Sequence, residues 1–185
     1  MTASLLYVFW HWKRPSIQRA AYETHQRSFH AMFEAHPPEG FVSSSSSLVE
    51  GAPWANVGDI AYEDRYCLHD AGALDTLDRS VAIAPYREAH GSAAKGAAGG
   101  VAGLYRVRLG APLRGPRHAL WFGKGEGVSY DDMVGLLAPL IREAESVLWM
   151  RRMVLGPTPE FCLQSMAPVS LPPSLHALHL RLQPL

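Results

Sequence analysis

The chain has little of what marks a specialised protein. It holds 2 cysteines, Cys67 and Cys162, in 185 residues. That is too few for a disulfide scaffold, and they sit in neither a CxxC nor a zinc spacing. Free thiols and a cytoplasmic location are expected. No apolar run approaches the ~20 residues of a spanning helix. MTASLLYVFWHWKRP has no basic region before its apolar stretch and no small-residue cleavage site after it, so a secretory signal is not expected. Neither sign of charge is in excess: 17 Lys and Arg balance 17 Asp and Glu. A neutral chain lacks the overall field that draws nucleic acid or an anionic membrane, and neither is expected as a partner. Neutrality also leaves little repulsion against self-association, which permits a homo-oligomer. Catalytic signatures are scarce too. GKGEG at residues 123–127 fits no dinucleotide or phosphate-loop pattern and reads as a connector. There is no GxSxG elbow and no HExxH.

What is present is a core. Apolar residues make up 48% of the chain, enough for one substantial domain or two small ones sharing a core. LLYVFWHW at Leu5–Trp12 is apolar on both alternating faces, the pattern of a strand covered on both sides. Ser16 is placed to cap a helix over 17–36. On that helix Ile17, Ala21, His25, Phe29, Met32 and Phe33 share one face, with Arg19, Glu23, Arg27, His30 and Glu34 opposite. Pro37, Pro38 and Gly40 end it. Phe41–Glu50 is a weaker strand whose run Ser43–Ser47 suits a solvated edge. GAPWANVGD, 51–59, is a loop. Ile60–His69 alternates, with Ile60, Tyr62, Tyr66 and Leu68 against Glu63, Arg65, Cys67 and His69. Asp70 caps a helix carrying Leu74, Leu77 and Val81, which Pro85 breaks or restarts. REAHGSAAKGAAGG is a small-residue helix or loop leading to a strand at Val101–Leu109, where Tyr105, Val107 and Leu109 oppose Leu104, Arg106 and Arg108.

After the linker APLRGP, the order begins again. A strand at His118–Lys124 precedes a helix capped by Ser129, with Met133, Leu136, Leu137, Leu140, Ile141 and Ala144 as its apolar stripe and Pro139 as a bend. A hairpin over Val147–Leu155 and Phe161–Met166 follows, then a strand at Leu175–Leu182. Only APVSLPPS stands where a second helix would fall. Strand, helix, strand, strand, helix, strand is the split βαβ order. The expectation is an α+β fold of two ferredoxin-like repeats, 1–110 and 117–185, with antiparallel sheets packed as an α/β barrel and one helix missing from the second. An unduplicated α+β domain is the alternative.

This order, with segments such as YVFWHW, AYEDRY and AGLYRVRLG, resembles the dimeric α/β-barrel superfamily, in an uncharacterised bacterial branch. The resemblance covers nearly the whole chain and transfers no catalytic signature. It implies ferredoxin-like units paired sheet to sheet. Members include antibiotic-biosynthesis-type monooxygenases, haem-degrading enzymes, isomerase-like proteins, stress-responsive barrels and ligand sensors, among which fold alone does not choose.

For chemistry, His25 is the first candidate, as a polar group on an apolar helix face able to transfer a proton. His11 on the first strand could converge with it. Glu63 and Arg65 share one strand face, Arg106 and Arg108 another. Turned inward together, they would hold a carboxylate or phenolate. Cys67 and His69 point the same way but make a two-residue signal, and no metal site is assigned. His176 and His179 point oppositely on a strand and pair poorly. The reading is a small-molecule-binding protein, open between a cofactor-independent monooxygenase- or isomerase-like enzyme on an acidic aromatic compound, a non-enzymatic stress-related or ligand-sensing module, and a haem-binding protein. No cofactor is assigned.

Overall fold

Strand β1 (Leu5–Lys13) lies between two cores. Leu6, Val8 and Trp10 join one, while Leu5 and the partly buried Tyr7 join another on the opposite face. The computed structural model describes residues 4–55, 60–153 and 156–185, and every further statement of structure concerns these. After β1 come α1 (Arg19–Ala35), β2 (Phe41–Val49), β3 (Ala61–Leu68), α2 (Ala71–Val81), α3 (Tyr86–Gly96) and β4 (Ala97–Gly110). The second half supplies β5 (His118–Phe122), α4 (Tyr130–Leu137), β6 (Ser146–Arg151), β7 (Phe161–Ser165) and β8 (Leu178–Pro184). Parts of the expected loop 51–59 and strand 147–155, namely 56–59 and 154–155, fall outside the described residues.

The strands close into one antiparallel barrel in the order β1-β3-β2-β8-β5-β7-β6-β4. The expected pair of facing sheets is therefore a single continuous wall. Cut between β2 and β8 and between β6 and β4, each half runs in the order fourth, first, third, second strand. Between β7 and β8 only a 3-10 turn, Pro173–Leu175, replaces a helix. The barrel is plugged, not hollow: Trp10, Trp54, Tyr105 and Trp121 meet edge to face with ring centroids 5.1 to 6.2 Å apart. Such offset aromatic contacts fill volume while keeping ring edges against ring faces.

Several elements differ from the sequence reading for identifiable reasons. The serine run is not a solvated edge, since β2 pairs with β3 along its length and with β8 at Ser47–Val49. Ser46 and Ser47 are buried. Helix α1 starts at Arg19, and Gln18, which stands at its N-cap, makes no side-chain capping bond, so Ser16 is not its cap. Asp70 and Ser129 do cap α2 and α4, accepting from the amides of Ala73 and Asp132. Pro139 lies in a 3-10 turn that follows α4 instead of bending it; Met133 and Leu137 are buried, Leu140 and Ile141 pack partly against the same core, and Leu136 is exposed. A register shift between Val107 and Leu109 turns Leu109 from the barrel interior to the outer core. Strand β4 begins at Ala97, and its glycines are small because rings lie against it: a Cβ on Gly100 would strike Phe9, and one on Gly96, closing α3, would strike Tyr22.

Helices α1, α2 and α3 cover the outer faces of β1 and β3, with Phe33 fully buried among Phe29, Phe41, Tyr66 and Tyr86. Among the described residues, no helix is long and apolar enough to cross a membrane. Phe33→Ala is expected to cost about 3–5 kcal/mol by opening a cavity, whereas His25→Ala, on the exposed side of α1, should change stability by less than about 0.5 kcal/mol. Urea unfolding measures both; equal losses would mean that α1 is turned the other way.

Candidate active site

Three segments meet beneath α1. Counting by alternation on β3, Tyr62, Asp64 and Tyr66 face the helices, while Glu63, Arg65 and Cys67 face the barrel interior. On β1 the helix-facing set is Tyr7, Phe9 and His11, and Asp64 pairs with Phe9 across the strands. Helix α1 brings down Tyr22, Gln26, Phe29, His30 and Phe33.

Asp64, 3% exposed, is the centre of this arrangement. His11 Nε2 lies 3.1 Å from its Oδ2, and His30 Nε2 lies 3.3 Å from its Oδ1. Both contacts are within hydrogen-bonding distance, although neither N–H points straight at its oxygen. The other ring nitrogens are also engaged. His11 Nδ1 is 2.5 Å from the Tyr22 hydroxyl, and His30 Nδ1 is 2.8 Å from Ser44 Oγ. With Nε2 carrying the proton toward Asp64, each Nδ1 accepts, from Tyr22 and from Ser44. The result is a chain of hydroxyl, imidazole, carboxylate, imidazole and hydroxyl.

Burial opposes ionisation of Asp64, but the two imidazoles outweigh it and hold the carboxyl well below its usual range. Burial first, and then the Asp64 charge, pushes the Tyr22 and Tyr66 phenols well above theirs. Tyr62, stacked on His11 at 5.6 Å, is pushed up to about 12 by burial and by Glu23.

His11, Tyr22 and Asp64 line a cavity of about 660 Å³ between the sheet and helices α1–α3. Its walls are Tyr7, Phe9, Phe29, Phe33, Tyr66, Leu74, Leu77 and Val81. This volume suits a drug-sized or multi-ring ligand. A second cavity of about 300 Å³ opens beside the serine run and reaches His30, Arg65 and Cys67. His30 and Asp64 thus lie between the two.

The sequence candidates are scattered relative to this site. His11 is in it. His25 is exposed on the outer side of α1, and the helix turns His30 inward instead. Glu63 and Arg65 do point into the barrel, where Arg65 Nε stands 3.3 Å from Glu63 and its other nitrogens donate to Gln164 and Ser47. Trp10 donates to Glu63 at 2.8 Å. Burial raises the Glu63 carboxyl against the pull of Arg65 and Trp10. These partners largely occupy the pair. Arg106 is exposed, and Arg108 reaches Asp131 at the surface; neither lines either cavity. The expected convergence of Glu63, Arg65, Arg106 and Arg108 does not form, because Arg106 lies on the outer face of β4. No cluster of three metal-ligating side chains occurs among the described residues. His179, set aside against His176, instead meets His118 on the neighbouring strand at 3.0 Å. Tyr22, His30 and Asp64 were missed. The one local signal was parity: Asp64 stands between Tyr62 and Tyr66 on an aromatic strand face.

No protein-family model matches the sequence, and a comparison with curated proteins finds no match. Solved structures do match. One is a protein from Fusobacterium nucleatum subsp. nucleatum named as a proposed monooxygenase, with TM-score 0.66 and 8% identity, over 99% of this chain and 93% of that one. Another is an anthrone oxidase-like protein, with TM-score 0.52 and 11% identity, over 99% and 92%. The likeness is one of fold. It establishes an α/β barrel shared from end to end with proteins named for oxidation.

The shifted groups give opposite pH limits. An unfolded Asp titrates near ~3.9, so ionised Asp64 contributes stability above about pH 4 that is lost as pH falls through its lower folded value. The raised phenol of Tyr22 contributes stability that is complete below about pH 10 and is lost as pH rises through its folded value. Urea unfolding across pH should therefore show a shallower acid loss in Asp64→Asn and a shallower alkaline loss in Tyr22→Phe than in the wild type. Parallel profiles would refute the assignment.

Proposed function

We propose that the protein is an oxidoreductase-like enzyme that binds a flat, weakly acidic aromatic compound between its sheet and helices α1–α3 and oxidises it with dioxygen, without a resident cofactor. The observation that carries this reading is His11, held between Tyr22 and Asp64 on the floor of an aromatic-walled cavity. Tyr22 can accept a substrate proton as its own passes to His11 Nδ1, giving an imidazolium beside the Asp64 carboxylate. The electron-rich anion left behind can react with dioxygen. For a ring CH₂ the balance is CH₂ plus O₂ giving C=O plus H₂O, with no outside reductant. The fold shared with an anthrone oxidase-like protein supports the reading.

The substrate is acidic in its O–H or C–H, not an anion on arrival, because no Lys or Arg lines the cavity. For the same reason haem fits poorly: its propionates would find no cation, and both nitrogens of His11 are engaged. That engagement, with His11 only 1% exposed, favours a second reading in which the cavity binds without catalysis. We propose also that 1–110 and 117–185 are two repeats of a ferredoxin-like unit; the shared strand order supports it.

Dioxygen uptake with anthrone as probe tests the enzyme reading. The wild type should consume oxygen, and His11→Gln should lower the rate by about 10²–10⁴-fold with unchanged circular dichroism. Equal rates in the two proteins, or binding of anthrone with no uptake, would leave the non-catalytic reading.

A further inference from the structure

The charges around the first cavity are one-sided. Its carboxylates are Asp64 on the floor and Asp75 and Asp78 at the mouth, on successive turns of α2. Asp64 is compensated by two imidazoles, and Asp75 by Arg79 at 3.0 Å. Asp78 takes part in no ion pair among the described residues. His90 of α3 faces the same cavity, stacked near Phe29 with centroids 5.3 Å apart. Burial lowers its proton affinity against the opposing pull of Asp78, so it brings no positive charge at neutral pH. Tyr7, stacked on Tyr66 at 5.9 Å, adds a further ring to the wall.

Aromatic walls attract a cation through the negative faces of their rings, and an uncompensated carboxylate adds attraction of the same sign. An aromatic acid meets the opposite field. The floor is different: Asp64 is buried, and both of its oxygens face imidazoles, Oδ2 toward His11 and Oδ1 toward His30.

We propose that the ligand of this cavity is an aromatic amine, seated with its protonated nitrogen at the mouth beside Asp78, and that Asp78 is the residue that selects it over aromatic acids. The proposal rests on the aromatic-binding use of the cavity inferred above and adds the charge of the substrate.

Calorimetric titration of the full chain with naphthylmethylamine, naphthylmethanol and naphthoate, which share one ring system, tests it at low salt. The amine should bind tightest and naphthoate weakest. The amine-to-naphthoate ratio should be about tenfold, as expected for an exposed charge attracting one probe and repelling the other. The ratio should shrink in Asp78→Asn and in high salt. Naphthoate binding as well as the amine, or a ratio untouched by Asp78→Asn, would overturn the charge selection while leaving the aromatic cavity in place. Failure of all three probes to bind would overturn the cavity's role and this inference together.

Discussion

One carboxylate holds the outer layer of the first half together. Asp64 projects from β3 toward His11 of β1 and His30 of α1, and His30 in turn reaches Ser44 of β2. Three neighbouring strands and the helix lying across them are thereby joined at a single charge. A lone carboxylate at this depth would be strongly disfavoured, and two imidazoles make its burial tolerable. Removing either ring leaves the same charge with half its compensation, so the register of α1 over the sheet and the ionisation of Asp64 are one constraint.

The location of the cavity follows from how the barrel is filled. Interior space is taken by the four-ring aromatic plug and by the Glu63–Arg65 pair with its partners Trp10, Ser47 and Gln164. Outside β1 and β3, Phe33 and the rings around it fill part of the space under the three helices, and the larger of the two cavities lies beside them. Strand β3 serves both sides. In the run Glu63-Asp64-Arg65 the outer two residues form an ion pair inside the barrel, and the middle one anchors the imidazoles outside it.

The element order and the two side-chain caps, Asp70 and Ser129, were legible in the sequence because they depend on local spacing and local hydrogen bonds. Strand β1 was legible as doubly covered for the same reason. The face of α1 was not. Counting apolar residues places His25 inward, yet α1 buries Tyr22, Gln26 and His30, and the polar atoms of Tyr22 and His30 find partners on the flanking strands β1 and β2. Hydrophobicity cannot rank a helix face when hydrogen bonding decides it. The serine run was misjudged in the same way: small hydroxyl side chains suit an edge, but they also fit under a histidine. Closure of the wall, which makes β2 an interior strand, depends on pairing with β8 more than a hundred residues away, and no local pattern encodes it.

The shared carboxylate is tested most directly by long-range proton–nitrogen NMR of the labelled imidazoles, at a pH where both rings are uncharged. The arrangement predicts that His11 and His30 each carry their proton on Nε2, toward Asp64, and that Asp64→Asn alters the signals of both rings together. A proton on Nδ1 of either ring, or a response confined to one of them, would contradict it.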